Sequence, residues 1–191
     1  MDEKNILELV KKDKWRMKIL KAAQSLNLPD WWIGAGFVRA MVWDHLHDYT
    51  KSTPPTDIDV IYYDENDFDL EEMEQESTAK EIYYQKQLEK IFPGPDWSVT
   101  NQARIHLFHK RKTPYKNSTE ALSEWVETAT CVGVRLDDND ELIITAPHGI
   151  YDLTHLILRP TFNSKENLKE FDRRVTEKHW LTKWPKLKVI K

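Results

Sequence analysis

The stretch Trp31–Asp64, WWIGAGFVRAMVWDHLHDYTKSTPPTDIDVIYYD, constrains the fold more than any other part of the chain. It reads as a short apolar strand, a glycine turn, a helix, a proline-bearing loop and a second strand. Asp57 and Asp59 open that second strand with Ile58 between them. Side chains alternate faces along a strand, so the two carboxylates share one face while Ile58, Val60 and Tyr62 point the other way. Two carboxylates side by side repel each other unless a cation lies between them. A glycine turn entering a helix offers free backbone N–H groups to a phosphate. The stretch therefore predicts a phosphate cradle beside a divalent-metal site, the pairing that phosphoryl transfer requires.

The remaining elements are expected to build one domain around it. At 191 residues the chain is read as a single domain, 1–191, with a core over about 28–110 and a helical and hairpin elaboration over about 115–191. An amphipathic helix is expected from Asp2 to Leu26, a strand at Trp31–Ile33, a helix from Phe37 to His47 and a strand over Asp57–Tyr63. A long polar helix is expected from Leu70 to Phe92, its first half acidic (Glu71, Glu72, Glu74, Glu76) and read as a solvated face. A strand follows at Trp97–Thr100. Asn117 with Glu120 reads as a capping box for a helix reaching Thr128. Cys131–Leu136 and Glu141–Thr145 read as a hairpin, Gly149–Leu158 as a short helix, and Asn163 with Glu166 as the cap of a helix from Ser164 to Leu181. The basic tail (Lys178, Lys183, Lys186, Lys188, Lys191) is expected to dock through Trp180 and Trp184, with its lysines solvated. Strands and helices alternate without a strict βαβ rhythm, which predicts an α/β (α+β) fold with a mixed central sheet flanked by helices.

Familiar nucleotide motifs fit poorly. After Gly36 a P-loop needs Lys and Ser or Thr, and Phe37 and Val38 stand there. A dinucleotide fingerprint needs a third glycine where Arg39 stands, and its acidic residue should end a strand, whereas Asp57 begins one. His45, His47, His106 and His109 lack the cysteine cluster or third ligand that a zinc site needs. Cys131 sits in an apolar run and is read as a buried small residue.

What remains is an apolar strand, a small-residue turn, an arginine in the first helical turn, and D-h-D-h in a strand. Ile33-Gly-Ala-Gly-Phe-Val-Arg39 followed by Asp57-Ile-Asp59-Val60 resembles the signature of the DNA polymerase β nucleotidyltransferase superfamily. Within it, the motif is similar to the head of CCA-adding enzymes, Gly-Gly-x-Val-Arg-Asp and later Asp-x-Asp. Val42-Trp43-Asp44, the run Trp97–His106 and Trp184-Pro185 resemble a family of short bacterial nucleotidyltransferase-like proteins with no settled substrate.

The resemblance implies an Mg²⁺-dependent transfer of NMP from an NTP, ATP among them, to a hydroxyl of a small molecule, protein or RNA. It implies that Asp57 and Asp59 hold two Mg²⁺ ions and are the catalytic pair. It assigns Gly34, Ala35 and Gly36 to the phosphate approach and Arg39 to a phosphate or ribose contact. Asn101 and Arg104 are added as nucleotide-binding candidates because they follow a strand in a dense polar group. The chain departs from the pattern in three places. Ala35 replaces the first of two paired glycines, a change read as mild. Ala40 stands where the CCA-type pattern has an aspartate. The third carboxylate that many members take from the next strand is missing, with Asp96 the nearest acid and read as a turn residue. A binding module of the same fold with weak or no transfer activity is the alternative.

A formal net charge of −4 argues against a broad nucleic-acid surface, so a small-molecule or protein acceptor is favoured over RNA. One cysteine and no long apolar run predict a soluble cytoplasmic protein without a membrane partner.

Overall fold

The computed structural model describes residues 1–67, 75–109, 111–162 and 164–191. Its centre is a five-stranded mixed sheet of β1 (Trp32–Gly34), β2 (Ile58–Tyr62), β3 (Trp97–Asn101), β4 (Gly133–Leu136) and β5 (Leu142–Thr145), in the order β3-β2-β1-β4-β5. Within this sheet only β2 and β3 run parallel among the described residues. Antiparallel neighbours can be joined by tight turns, but a parallel pair needs a crossover, and α4 (Ala79–Ile91) lies in that connection.

The alternation along β2 sorts the two sheet faces. Ile58, Val60 and Tyr62 enter the main core with Ile33, Val134, Phe37, Val42 and Trp43. Ile61 packs on the other face with Trp32 and Leu122, and Trp125 and Ile143 close over them. Asp57 and Asp59 share the parity of Ile61, so they stand where this second, thinner layer ends.

Helix α3 (Gly36–Leu46) leaves β1 through Ala35 and is almost wholly buried. On the N-terminal side one long helix was expected, and there are two, α1 (Glu3–Lys12) and α2 (Lys14–Gln24). Asp13 divides them. Its backbone is extended (φ −83°, ψ 100°) and its side chain accepts from the N–H groups of Trp15 and Arg16. A short polar side chain that caps this way competes with the continuous helix. Arg16 then donates through Nε to the carbonyl of Phe37 at 3.0 Å, tying α2 to α3.

The polar helix begins later than the acidic run suggested. Thr78 caps α4 with a full capping box to Glu81, and Leu70, Glu71, Glu72 and Glu74 lie outside the described residues. Two short helices follow β3, α5 (Gln102–Ile105) and α6 (Ser118–Leu122), and the latter stops well before Thr128. Asn117 does cap it, but Glu120 turns to the N–H of Lys116, so the reciprocal half of the box is absent. A 3₁₀ turn, Thr128–Thr130, leads to the hairpin β4–β5.

The region expected as one helix over Gly149–Leu158 is a turn of helix, α7 (Tyr151–Thr154), and a strand, β6 (Ile157–Leu158). Asn163 lies outside the described residues, and Ser164 caps α8 (Lys165–Glu177). That helix ends before Leu181 because His179 turns left-handed (φ 53°), after which α9 (Trp180–Lys183) starts. The tail then adds β7 (Lys188–Val189) parallel to β6. Among the described residues no helix is long and apolar enough to cross a membrane.

One buried carboxylate fastens the tail to the head. Asp44 accepts from Trp184 Nε1 at 2.7 Å and from the N–H and Oγ1 of Thr53 at 2.6 and 2.8 Å. Trp184 sets its edge against Trp43 at 5.1 Å, and His47 Nε2 accepts from the N–H of Lys186. Replacing Asp44 by Ala strands three donors at a buried site. Asp44→Ala is expected to lower stability by about 2–4 kcal/mol, read as a shift in the urea midpoint with little change in slope.

Candidate active site

Asp59 lies in β2 and Asp57 immediately before it, both half-buried and both lining one pocket with Ala35, Gly36 and Arg39. Burial raises the Asp59 carboxyl to about 6, and the charge of Asp57 pushes it the same way. A like-charged, partly desolvated pair of this kind is the chemistry of a site that takes a cation. Among the described residues no group of three or more acidic, histidine or cysteine side chains is placed to hold a metal ion, here or elsewhere. The register explains why β3 adds no acid beside the pair: Ser98 stands opposite Asp59. Asp96 is exposed, and its carbonyl accepts from the N–H of Ile58 at 2.7 Å. It borders a separate surface hollow with Asp57.

The turn residues divide by role. An added Cβ on Gly34 would meet the Trp125 ring at 2.8 Å, so this glycine is required by packing of the second layer. On Gly36 it would meet only Pro55 and Arg39 at ordinary distances, 3.5 and 3.9 Å, so packing leaves this position open toward the pocket. Ala35 stands at φ 46°, ψ −114°, a conformation that strongly favours glycine. Its replacement of a glycine is therefore not mild: the strain is held by its N–H donating to the carbonyl of Val132 at 3.1 Å and by the helix that follows. No side chain caps α3; the Ala35 carbonyl accepts from the N–H groups of Val38 and Arg39, which leaves those of Gly36 and Phe37 without an acceptor among the described residues, at a turn whose Ala35 and Gly36 line the pocket.

Arg39 is buried, with its guanidinium stacked on Trp180 at 4.4 Å and near Trp43 at 5.2 Å. Its Nε and one terminal nitrogen are buried without a hydrogen-bond partner among the described residues. Burial pushes its pKa down to about 10, against the opposing pull of Glu127. Such unmet donors beside a pocket are an anion site in waiting.

Three more cations reach the same pocket from the C-terminal segment: Arg174, Lys178 and Lys183. Arg174 pairs with the fully buried Glu127 through Nε at 2.6 Å. With four cations against two aspartates, the lining carries a net positive charge. Periodicity could not reveal this: α8 looks like an ordinary solvated amphipathic helix, and Lys178 and Lys183 look like solvated lysines of a docked tail.

Asn101 and Arg104 are not brought to this pocket. Asn101 is fully buried, bonded through its amide to the backbone of Asp64 and Ala103. Arg104 is fully buried in a two-pronged pair with Glu81, at 3.0 and 2.6 Å, and also holds the carbonyls of Gln75 and Glu76. Both anchor the start of α4 to the end of β3. Cys131 is buried, which pushes its thiol well above the usual range.

A second cavity, of about 260 Å³ against about 90 Å³ for the first, adjoins the site. The two share Ala35, Asp59 and Arg174, so Asp59 stands between them. The second is otherwise lined by His109, Glu124, Trp125 and Val126.

Two measurements follow from this geometry. Without divalent ions, the Asp59 carboxyl ¹³C signal should titrate near pH 6, and Asp57→Asn should move that midpoint down. Since the folded pKa is the higher, the stability Asp59 contributes is full below about pH 4 and is lost as pH rises through about 6. Ala35→Gly, by relieving strain at a positive φ, should raise the unfolding free energy by up to about 1 kcal/mol net of the entropy glycine adds to the unfolded chain.

The comparisons agree with this geometry. A family model described as a nucleotidyltransferase matches residues 21–189. A solved structure whose NMR description reads as a CCA-adding enzyme head domain superposes with a TM-score of 0.82 at 29% identity, covering 100% of this chain and 96% of that one. The Thermotoga maritima CCA-adding enzyme complexed with tRNA (TM-score 0.57, 13% identity) covers 100% of this chain, and this chain spans 43% of its length. A CCA-adding enzyme with CTP gives 0.58 and 14%, with 100% and 44% covered. These last two share the fold, and this chain spans under half their length. No curated protein matches it. With nearly its whole length matched, this chain belongs to the nucleotidyltransferase family and carries the fold of a CCA-adding enzyme head.

Proposed function

We propose that the protein transfers an NMP from an NTP to a hydroxyl acceptor in an Mg²⁺-dependent reaction at Asp57 and Asp59. The observation that carries this reading is the single pocket where those two aspartates meet Arg39, Arg174, Lys178 and Lys183. Carboxylates of that kind bind a cation, and a cluster of cations binds a polyphosphate; one pocket having both suits a metal–triphosphate. Solved relatives of the fold are described as complexes with CTP and with ATP, which supports an NTP as the donor.

Each residue has a role that its chemistry supports. Asp57 and Asp59 would hold Mg²⁺, which when bound neutralises phosphate charge and activates the attacking oxygen. Arg39, fixed by Trp180, presents rigid donors that gain their first partners when phosphate oxygens arrive. Gly36 leaves the start of α3 open for backbone N–H groups to approach a phosphate. Arg174, Lys178 and Lys183 offset the remaining charge. Transfer to RNA is not favoured, given a formal net charge of −4.

A second reading, a module that binds nucleotide with weak or no transfer, is favoured by one observation: Ser98 and not a carboxylate stands opposite Asp59 on β3. One experiment separates the two. The wild type should bind ATP with Mg²⁺ and release pyrophosphate, and the double change Asp57→Asn with Asp59→Asn should abolish release while the folded spectrum is kept. Tight ATP binding with no pyrophosphate from any NTP, across sugars, nucleosides and hydroxyl-bearing peptides as acceptors, would favour the binding module.

A further inference from the structure

The second cavity holds an arrangement that the two aspartates and the basic cluster do not explain. His109, on the segment after β3, lines it together with Asp59. Its Nδ1 is hydrogen-bonded to the Tyr115 hydroxyl, and that hydroxyl is 2.8 Å from Glu124 Oε2. Glu124 is held in turn by Arg111, Nη1 to Oε1 at 2.8 Å, and Arg111 also pairs with Glu120 and stacks on the Tyr115 ring at 4.4 Å. Tyr115 is buried and fixed from behind, its carbonyl accepting from Tyr63.

The direction of this chain follows from what each group can do. An ionised carboxylate only accepts, so Tyr115 must give its one proton to Glu124. The Tyr115 oxygen then has only lone pairs left for His109, so Nδ1 must carry the proton and donate. A neutral imidazole protonated on Nδ1 has its lone pair on Nε2. Among the described residues no partner reaches that Nε2.

We propose that His109 is the general base of the reaction, with Nε2 taking the proton of the acceptor hydroxyl in the cavity beside Asp59, and that Tyr115 and Glu124 position it. The inference rests on the nucleotidyl-transfer reading above. It supplies the base that the strand β3 does not, since Ser98 occupies the place beside Asp59. In the step, the acceptor O–H bond breaks and its proton goes to Nε2. The oxygen bonds to the α-phosphorus of the NTP, and the bond from that phosphorus to the bridging oxygen breaks. Pyrophosphate leaves with the electron pair, and the imidazolium later returns its proton to solvent.

The location suits an acceptor distinct from the phosphates. The nucleotide side, with Arg39 and the two lysines, is basic, whereas this cavity is walled by Trp125 and Val126 and carries one carboxylate besides Asp59. In-line displacement needs attacking and leaving oxygens on opposite sides of the phosphorus, and Asp59 stands between the two cavities. The charged and titratable groups facing His109 are Tyr115, Glu124, Arg111, Asp59 and Arg174. Desolvation lowers the His109 pKa below its ordinary value, with Glu124 opposing and Arg111 assisting, which favours the neutral ring.

Two readouts test this on the full chain. Long-range ¹H–¹⁵N spectra should show His109 as the Nδ1–H tautomer at pH 7.5, and Tyr115→Phe should remove that bias. An Nε2–H tautomer in the wild type overturns the inference. Pyrophosphate release from ATP and Mg²⁺, with water as the acceptor, should fall by about 10²-fold or more in His109→Ala, while ATP affinity stays within twofold. Free imidazole should restore the rate in His109→Ala and should not in Asp59→Asn. His109→Gln, which keeps the ring volume approximately, should remain impaired, so that a packing defect is told apart from a lost base. Unchanged release in both His109 variants overturns the inference and leaves nucleotidyl transfer standing. A wild type that neither binds ATP nor releases pyrophosphate overturns both.

Discussion

The contact on which the site depends is the buried pair of Glu127 and Arg174. Glu127 has no exposed surface, and besides Arg174 only Thr130 shares its carboxylate among the described residues. Breaking a buried pair from one side leaves a bare charge and costs about 3–5 kcal/mol, so α8 is held firmly against the turn that precedes β4. That placement carries Trp180 onto the Arg39 guanidinium and brings Lys178 and Lys183 to the rim of the pocket. The cationic half of the site is thus fastened by a carboxylate that never touches the pocket. Arg39 meets Glu127 only through the field, which is why burial still dominates its pKa.

The two halves of the pocket are held by different physics. The acidic half is a matter of strand geometry: alternation in β2 puts Asp57 and Asp59 on the face opposite Val60, at the border of the thin layer formed by Trp32, Leu122 and Trp125. Gly34 lets Trp125 lie flat there, and the strained Ala35 turns the chain sharply into α3. The cationic half comes from tertiary contact alone. Charges of opposite sign are kept from collapsing onto one another because Arg39 is pinned between two tryptophan rings and Arg174 is committed to Glu127.

This division also explains what was legible beforehand. The strand-turn-helix-strand run, the shared face of Asp57 and Asp59, the mixed sheet and the β4–β5 hairpin follow from local pattern, and local pattern is what a sequence displays. The long N-terminal helix was misjudged because periodicity continues through Asp13, whose capping bonds compete with the helix only locally. Asn101 and Arg104 looked available for a ligand because polarity was visible and burial was not; Glu81, some twenty residues earlier, absorbs the arginine. Arg174 went unnoticed because nothing near it in the chain marks it out from a solvated helix face, and Lys178 and Lys183 were visible only as solvated lysines of a docking tail. His109 was considered only for zinc, since its partners Tyr115 and Glu124 become a relay only when the segment folds back.

The short parallel pairing of β6 with β7 has a thermodynamic corollary. Two residues on each side make few ladder bonds, and β7 is exposed, so the stability of the terminal segment rests on Trp180, Trp184 and the Asp44 and Glu127 contacts. Segments held this way open locally at lower cost than the central sheet. Opening would leave the two aspartates in place and strip the pocket of three of its cations. A polyphosphate that bridged the two halves would bind the closed form alone, and by mass action it would deepen closure as its concentration rises. Ligand occupancy and the docking of the last helices are then one equilibrium viewed from two ends.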